Sequence, residues 1–125
     1  MKIAIHYTED IYKDNFSRKW IEYFESNYNI DILTLNFKQS ELIHKITKCN
    51  GIMWHWFHTP DDKICAPKIL DAIEYALHIP IFPNKETRWH YDEKIAQHYF
   101  IDSLNISKIK SWVFWNHSDA SNFIS

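Results

Sequence analysis

The run Lys2-Ile3-Ala4-Ile5-His6-Tyr7 decides the fold. It is short, apolar and rich in Ile, without a turn residue, which is the composition of a strand buried on both faces. Outward from it, segments of helical period alternate with further runs of the same kind. Phe16, Trp20, Ile21, Tyr23, Phe24 and Tyr28 recur at spacings of four, three and one and predict an amphipathic helix over 16–28. Residues 30–37 (IDILTLNF) form a second strand, and Ser40 is placed to cap a short helix reaching Cys49, with Leu42, Ile43 and Ile46 inward. Residues 51–57 (GIMWHWF) make a third strand, entered through Gly51 where a helix end calls for positive φ. After a loop at 59–63, Ile69, Leu70, Ile73, Ala76 and Leu77 line a helix over 66–77, its start obscured by Pro60 and Pro67. Residues 79–83 (IPIFP) form a fourth strand, and the prolines assign it to an edge. Strands alternating with helices require right-handed crossovers, so the expected fold is α/β, an open and mostly parallel sheet with flanking helices.

Composition narrows the function. With 46% hydrophobic residues, six Trp, seven Tyr and eight Phe, the chain has the apolar surface to fold. A single glycine excludes the Gly-x-Gly-x-x-Gly fingerprint and the Gly-rich phosphate loop, which need several residues free of a Cβ. A net charge of −2 without a basic block argues against nucleic acid. The chain passes from Met1-Lys2 straight into a strand, with no leader-length apolar run and none that would span a bilayer, so a cytoplasmic protein without membrane contact is expected. Cys49 and Cys65, lacking Cys-x-x-Cys spacing, read as reduced thiols.

Among candidate chemistries, His55 and His58 invite a metal, but strand spacing puts them on opposite faces and no acidic or Cys ligand accompanies them, so no metal site is assigned. Open parallel sheets bind ligands beyond the carboxyl ends of their strands, which makes His6, His55 and His58 candidates to line a substrate crevice there. No serine lies in a nucleophile elbow, and no catalytic residue is assigned. The aromatic stripe of the first helix has the spacing of a core face rather than of a stacking platform for single-stranded nucleic acid.

The densest stretch is Thr87-Arg88-Trp89-His90-Tyr91-Asp92-Glu93-Lys94. Asp92 reads as the N-cap of a helix with Ile95, Ala96, Tyr99, Phe100, Ser103 and Leu104 inward, which puts Lys94 in its first turn. A cation there is disfavoured by the helix dipole unless Asp92 and Glu93 neutralise it or a ligand phosphate does. The apolar run 112–115 reads as a fifth strand, and Ser118 as the cap of a last helix. A free-standing module that binds a small molecule or a protein, with 112–115 as an exposed pairing patch and a homo-oligomer among the outcomes, is the alternative to an enzyme part.

Phe82-Pro83-Asn84, the run from Arg88 through Tyr99, and Ser111-Trp112-Val113-Phe114-Trp115 together resemble the entry into the ATP-grasp fold of carboxylate-amine ligase-like proteins. The stretch from Met53 to Thr59 and the stretch from Phe16 to Tyr23 resemble the domain that precedes it. The resemblance implies a Rossmann-like pre-ATP-grasp domain over 1–86 and a truncated start of the ATP-grasp domain over 87–125. It implies ATP and Mg²⁺ as cofactors of the complete protein, neither held tightly by this chain alone, with the remaining ATP-grasp lobes and a small-molecule substrate as partners. Lys94 matches the family's nucleotide-contacting position, and Arg88, Trp89, Tyr91 and Asp92 fall at the junction. The strand lysine, phosphate loop and acidic Mg²⁺ ligands of the family have no counterpart here, so the resemblance implies a ligase piece, excised or natural, inactive alone.

Overall fold

A computed structural model describes residues 1–8, 15–55 and 59–124. The chain divides into two compact units, Met1–Glu86 and Thr87–Ser125. In the first unit the elements run β1 (Lys2–His6), α1 (Asn15–Asn27), β2 (Asp31–Leu35), α2 (Leu42–Ile46), β3 (Gly51–Met53), α3 (Pro60–Ala76) and β4 (Ile81–Phe82). A four-residue helix, α4 (Lys85–Arg88), follows. Among the described residues the four strands form one all-parallel sheet in the order β2-β1-β3-β4. The α/β class and the parallel sheet are therefore as expected, and β4 lies on an edge, as its prolines required. Residues 56 and 57 of the expected third strand lie outside the described residues.

Side-chain alternation assigns the two faces. Ala4, Ile52, Trp54 and Ile81 from the strands join Leu42, Ile46 and Cys49 and then Ala66, Leu70 and Ile73 of α3 in one buried cluster, with Leu33 and Leu35 packed against it. That is the main core. Ile5, fully buried, points to the opposite face, where α1 packs on β1. The α1 stripe is not the core face that its period predicted: Phe16, Tyr23 and Tyr28 are more than half exposed, and the residue sealed beneath the helix is Ser17.

Helix boundaries show where local chemistry outweighs periodicity. α3 starts at Pro60, not 66, because Thr59 caps it. Its Oγ1 accepts from Asp62 N at 3.2 Å and donates to Asp62 Oδ2 at 3.0 Å. Pro60 occupies the first helical position, where its missing N–H costs nothing, and Asp61 and Asp62 face the positive helix end. Residues 59–63 are thus a cap and first turn rather than a loop. The N-cap position of α2 falls to Glu41 instead of Ser40, without a side-chain cap bond among the described residues, and Gly51 does not adopt positive φ. The left-handed positions after α3 and α5 fall instead to His78 (φ 54°) and Asn105 (φ 48°).

The second unit holds α5 (Lys94–Ser103) and α6 (His117–Ile124). The fifth strand expected at 112–115 is not formed: 105–115 run without strand pairing among the described residues. An apolar run becomes a strand only if a ladder partner lies beside it, and here the segment is tied by side chains instead. Lys108 pairs with Asp102, Ser111 Oγ lies 3.0 Å from His98 Nδ1, and Trp112 and Phe114 pack on Phe123 at 4.9 and 5.2 Å. Asn116, not Ser118, caps α6 by accepting from Asp119 N at 2.9 Å. Neither helix buries a residue fully, and Ile95, Tyr99 and Leu104, expected inward, are exposed.

Candidate functional site

The carboxyl ends of β1 and β3 are neighbours, yet the chain leaves them in opposite directions, β1 toward β2 and β3 toward β4. This is the switch point at which an open parallel sheet leaves a crevice. Two ring clusters stand at this edge, one on each face.

On the α2/α3 face, His6 at the end of β1 packs between Phe37 (5.3 Å) and Trp54 (4.8 Å), themselves 5.4 Å apart and edge to face. His6 is only 5% exposed, and its Nδ1 accepts from Phe37 N at 2.9 Å, so the ring's proton is on Nε2. Burial, helped by the nearby Lys38 cation and opposed by Asp62, lowers its pKa from 6.5 to about 4. His6 is therefore a neutral, packed ring rather than an open wall of a crevice. Beside it Lys38 pairs with Asp62, whose side chain is buried while the lysine is partly open. That hydrogen bond raises the lysine pKa against the smaller cost of burial. The Lys38–Asp62 pair joins the end of β2 to the first turn of α3. It was not singled out in the sequence, because the spacing of the two residues carries no motif.

On the α1 face, His55 follows β3 with Phe16 at 4.4 Å and Trp20 at 6.5 Å, and Trp20 meets Phe82 of β4 at 6.0 Å. Phe16 is 54% and Phe82 57% exposed. Aromatic surface that a core would normally hide is thus presented with an imidazole at the carboxyl edge. His6 and His55 sit on opposite faces and share no wall, and His58 lies outside the described residues. Periodicity placed Phe16 and Trp20 on one helix face, but only the strand order puts Phe82 beside them.

In the second unit, Lys94 is the first residue of α5, as expected. Asp92 does not cap the helix: it takes φ 56°, and the cap position belongs to Glu93, with no side-chain cap bond among the described residues. Lys94 Nζ lies 4.0 Å from Asp92 Oδ1 and donates to Gln97 Oε1 at 3.3 Å, with its side chain 80% exposed. Of the other junction residues, Arg88 is buried, Trp89 packs on Phe100 at 5.6 Å, and Tyr91 is exposed. His90 stacks on Phe100 at 5.0 Å.

Among the described residues no three His, Cys, Asp or Glu side chains gather to hold a metal ion. One exposed lysine that already faces a carboxylate, without an acidic cradle among the described residues, does not fit Mg-ATP. Cys49 and Cys65 are free thiols, and burial raises the pKa of Cys49. No helix among the described residues is long and apolar enough to cross a membrane. No family model, curated protein or solved structure matches this chain.

Proposed function

We propose that this chain is the ligand-holding front of an ATP-grasp type ligase. In this reading Met1–Glu86 presents a small organic substrate at the carboxyl edge of its sheet, and Thr87–Ser125 leads into nucleotide lobes in the same chain or another. The observation that carries the reading is the half-open ring cluster of Phe16, Trp20, His55 and Phe82 on that edge. Rings there offer a flat apolar wall beside an imidazole, a make-up that suits a small-molecule site. The ligase form of the reading is supported by the resemblance from Phe82 onward and by the parallel sheet. The chain alone would not transfer a phosphoryl group, because that chemistry depends on cations and metal ligands that fix the charge, and the described residues do not assemble them.

A second reading, a free-standing α/β module that binds a small molecule or protein without catalysis, is favoured by the exposed, unladdered segment 112–115. Thermal-shift screening of small carboxylates and amines, with Phe82→Ala and His55→Ala beside the unaltered chain, tests the site common to both. A ligand that raises Tm in the unaltered chain and in neither variant supports it. Ligands that stabilise all three alike overturn it.

A further inference from the structure

Three side chains of the second unit that belong to no serine-hydrolase motif meet in one place. Ser111 Oγ lies 3.0 Å from His98 Nδ1, and His98 Nε2 lies 3.5 Å from Asp102 Oδ2. His98 and Asp102 stand four residues apart on α5, which sets them on one helix face, and Ser111 reaches them from the unladdered segment that follows. The carboxylate beside Nε2 favours the proton on that nitrogen, so Nδ1 keeps its lone pair and accepts from the serine hydroxyl. Lys108 pairs with the other Asp102 oxygen and holds the carboxylate in place. The His98 side chain is only 14% exposed, which limits competition from water for the ring. This is the sequence of nucleophile, base and carboxylate that activates a serine, with the two ring nitrogens exchanging their usual roles.

The same residues border a cavity of about 560 Å³, whose walls include Tyr99, Trp112, Val113 and Phe114. Such walls suit an apolar group. Because the segment pairs with no strand, the main-chain N–H groups of Ser111 and Trp112 enter no hydrogen bond among the described residues. They are donors available to an oxygen that gains negative charge.

We propose that Ser111 is the nucleophile of an esterase site, with His98 as its base, for carboxylic esters that carry an apolar acyl group. Ser111 Oγ bonds to the acyl carbon while its proton passes to His98 Nδ1, and the imidazolium so formed faces Asp102. The carbonyl oxygen holds the negative charge until the bond to the alcohol oxygen breaks, and that oxygen takes the proton from Nδ1. Water then attacks the acyl-serine, gives its proton to the same nitrogen, and releases the carboxylic acid as Ser111 regains its hydrogen. The net change is ester plus water to acid plus alcohol. Every group used lies within the second unit, so the proposal does not rest on the ligase reading.

Treatment of the full chain with a fluorophosphonate, read by intact mass and peptide mapping, is the test, together with hydrolysis of para-nitrophenyl butyrate. One adduct should form, on Ser111, with loss of fluoride. Ser111→Ala should abolish it, and Ser111→Ala and His98→Gln should each lower kcat/KM for the ester at least about a hundredfold with unchanged circular dichroism. Asp102 acts through His98 as a positioning residue, so Asp102→Asn should lower kcat at least about tenfold at unchanged KM, and Asp102→Glu should recover part of the loss. If His98→Gln fails to fold, Ser111→Ala, at an exposed position, decides. A chain left unlabelled, an adduct on another residue, or ester hydrolysis that Ser111→Ala leaves unchanged overturns the proposal. An unchanged kcat in Asp102→Asn overturns the part given to Asp102.

Discussion

Lowering the pH should unfold this chain through His6 in a way that a single substitution removes. The folded ring titrates at about 4 against an ordinary 6.5, because burial and the Lys38 cation penalise its charged form. The unfolded chain therefore takes up a proton that the folded one refuses. Stability contributed by the neutral ring is complete above about pH 6.5, declines as the pH falls toward about 4, and stays level below that. A difference of about two and a half pH units at about 1.4 kcal/mol each amounts to about 3 kcal/mol. That is a large part of the stability of a domain this size. Urea denaturation at steps between about pH 7 and pH 4 measures it, with His6→Asn as the control. Asn keeps an acceptor for Phe37 N–H and does not titrate, so its packing defect lowers stability by an amount independent of pH. Carboxylates contribute to both proteins, and the difference between the two curves isolates His6. That difference should shrink by about 3 kcal/mol across the interval. Parallel curves, or an NMR midpoint for His6 near 6.5, would refute the reasoning.

Other substitutions probe separate links of the structure. Thr59→Ala removes the cap of α3 and should cost about 1 kcal/mol in chemical denaturation; an unchanged midpoint would mean that the helix starts elsewhere. His78→Gly relieves a left-handed residue at the end of the same helix and should raise stability by about 1 kcal/mol, whereas a loss would contradict the φ of 54°. Gly51→Ala should be neutral or stabilising by about 0.5 kcal/mol, since the added Cβ would meet only Pro80 O, at 3.8 Å, and the backbone is not left-handed. Calorimetric titration with Mg-ATP should show no binding tighter than millimolar. Micromolar binding lost in Lys94→Ala would mean that the chain carries a working nucleotide site.

The parallel sheet was legible because strands buried on both faces must be apolar, as the runs at Lys2 and Gly51 largely are, while the run at Ile30 alternates polar and apolar residues and forms an outer strand. The edge position of β4 was legible from Pro80 and Pro83, which cannot serve a central ladder. The start of α3 was also written in the sequence, as Thr59, Pro60 and Asp62 at cap spacing, but two prolines made it look like a loop. What could not be read depends on partners distant in the chain. Residues 112–115 have the composition of a strand, and composition does not say whether another strand lies alongside. The period of α1 showed which side chains share a face, while the strand order decides that Phe16 and Trp20 meet His55 and Phe82 in the open. His6 looked like a crevice residue from its place at a strand end. Its burial follows from Phe37 and Trp54, which reach it from the segments that follow β2 and β3.

The measurement that bears most directly on the carboxyl edge as the binding site is a map of side-chain NMR shifts as small carboxylates and amines are added. The resonances that move should concentrate on Phe16, Trp20, His55 and Phe82, with His6 unmoved beneath its rings. Shifts centred on the groove between α2 and α3 instead, at Leu42, Ile43 and Cys65, would contradict it.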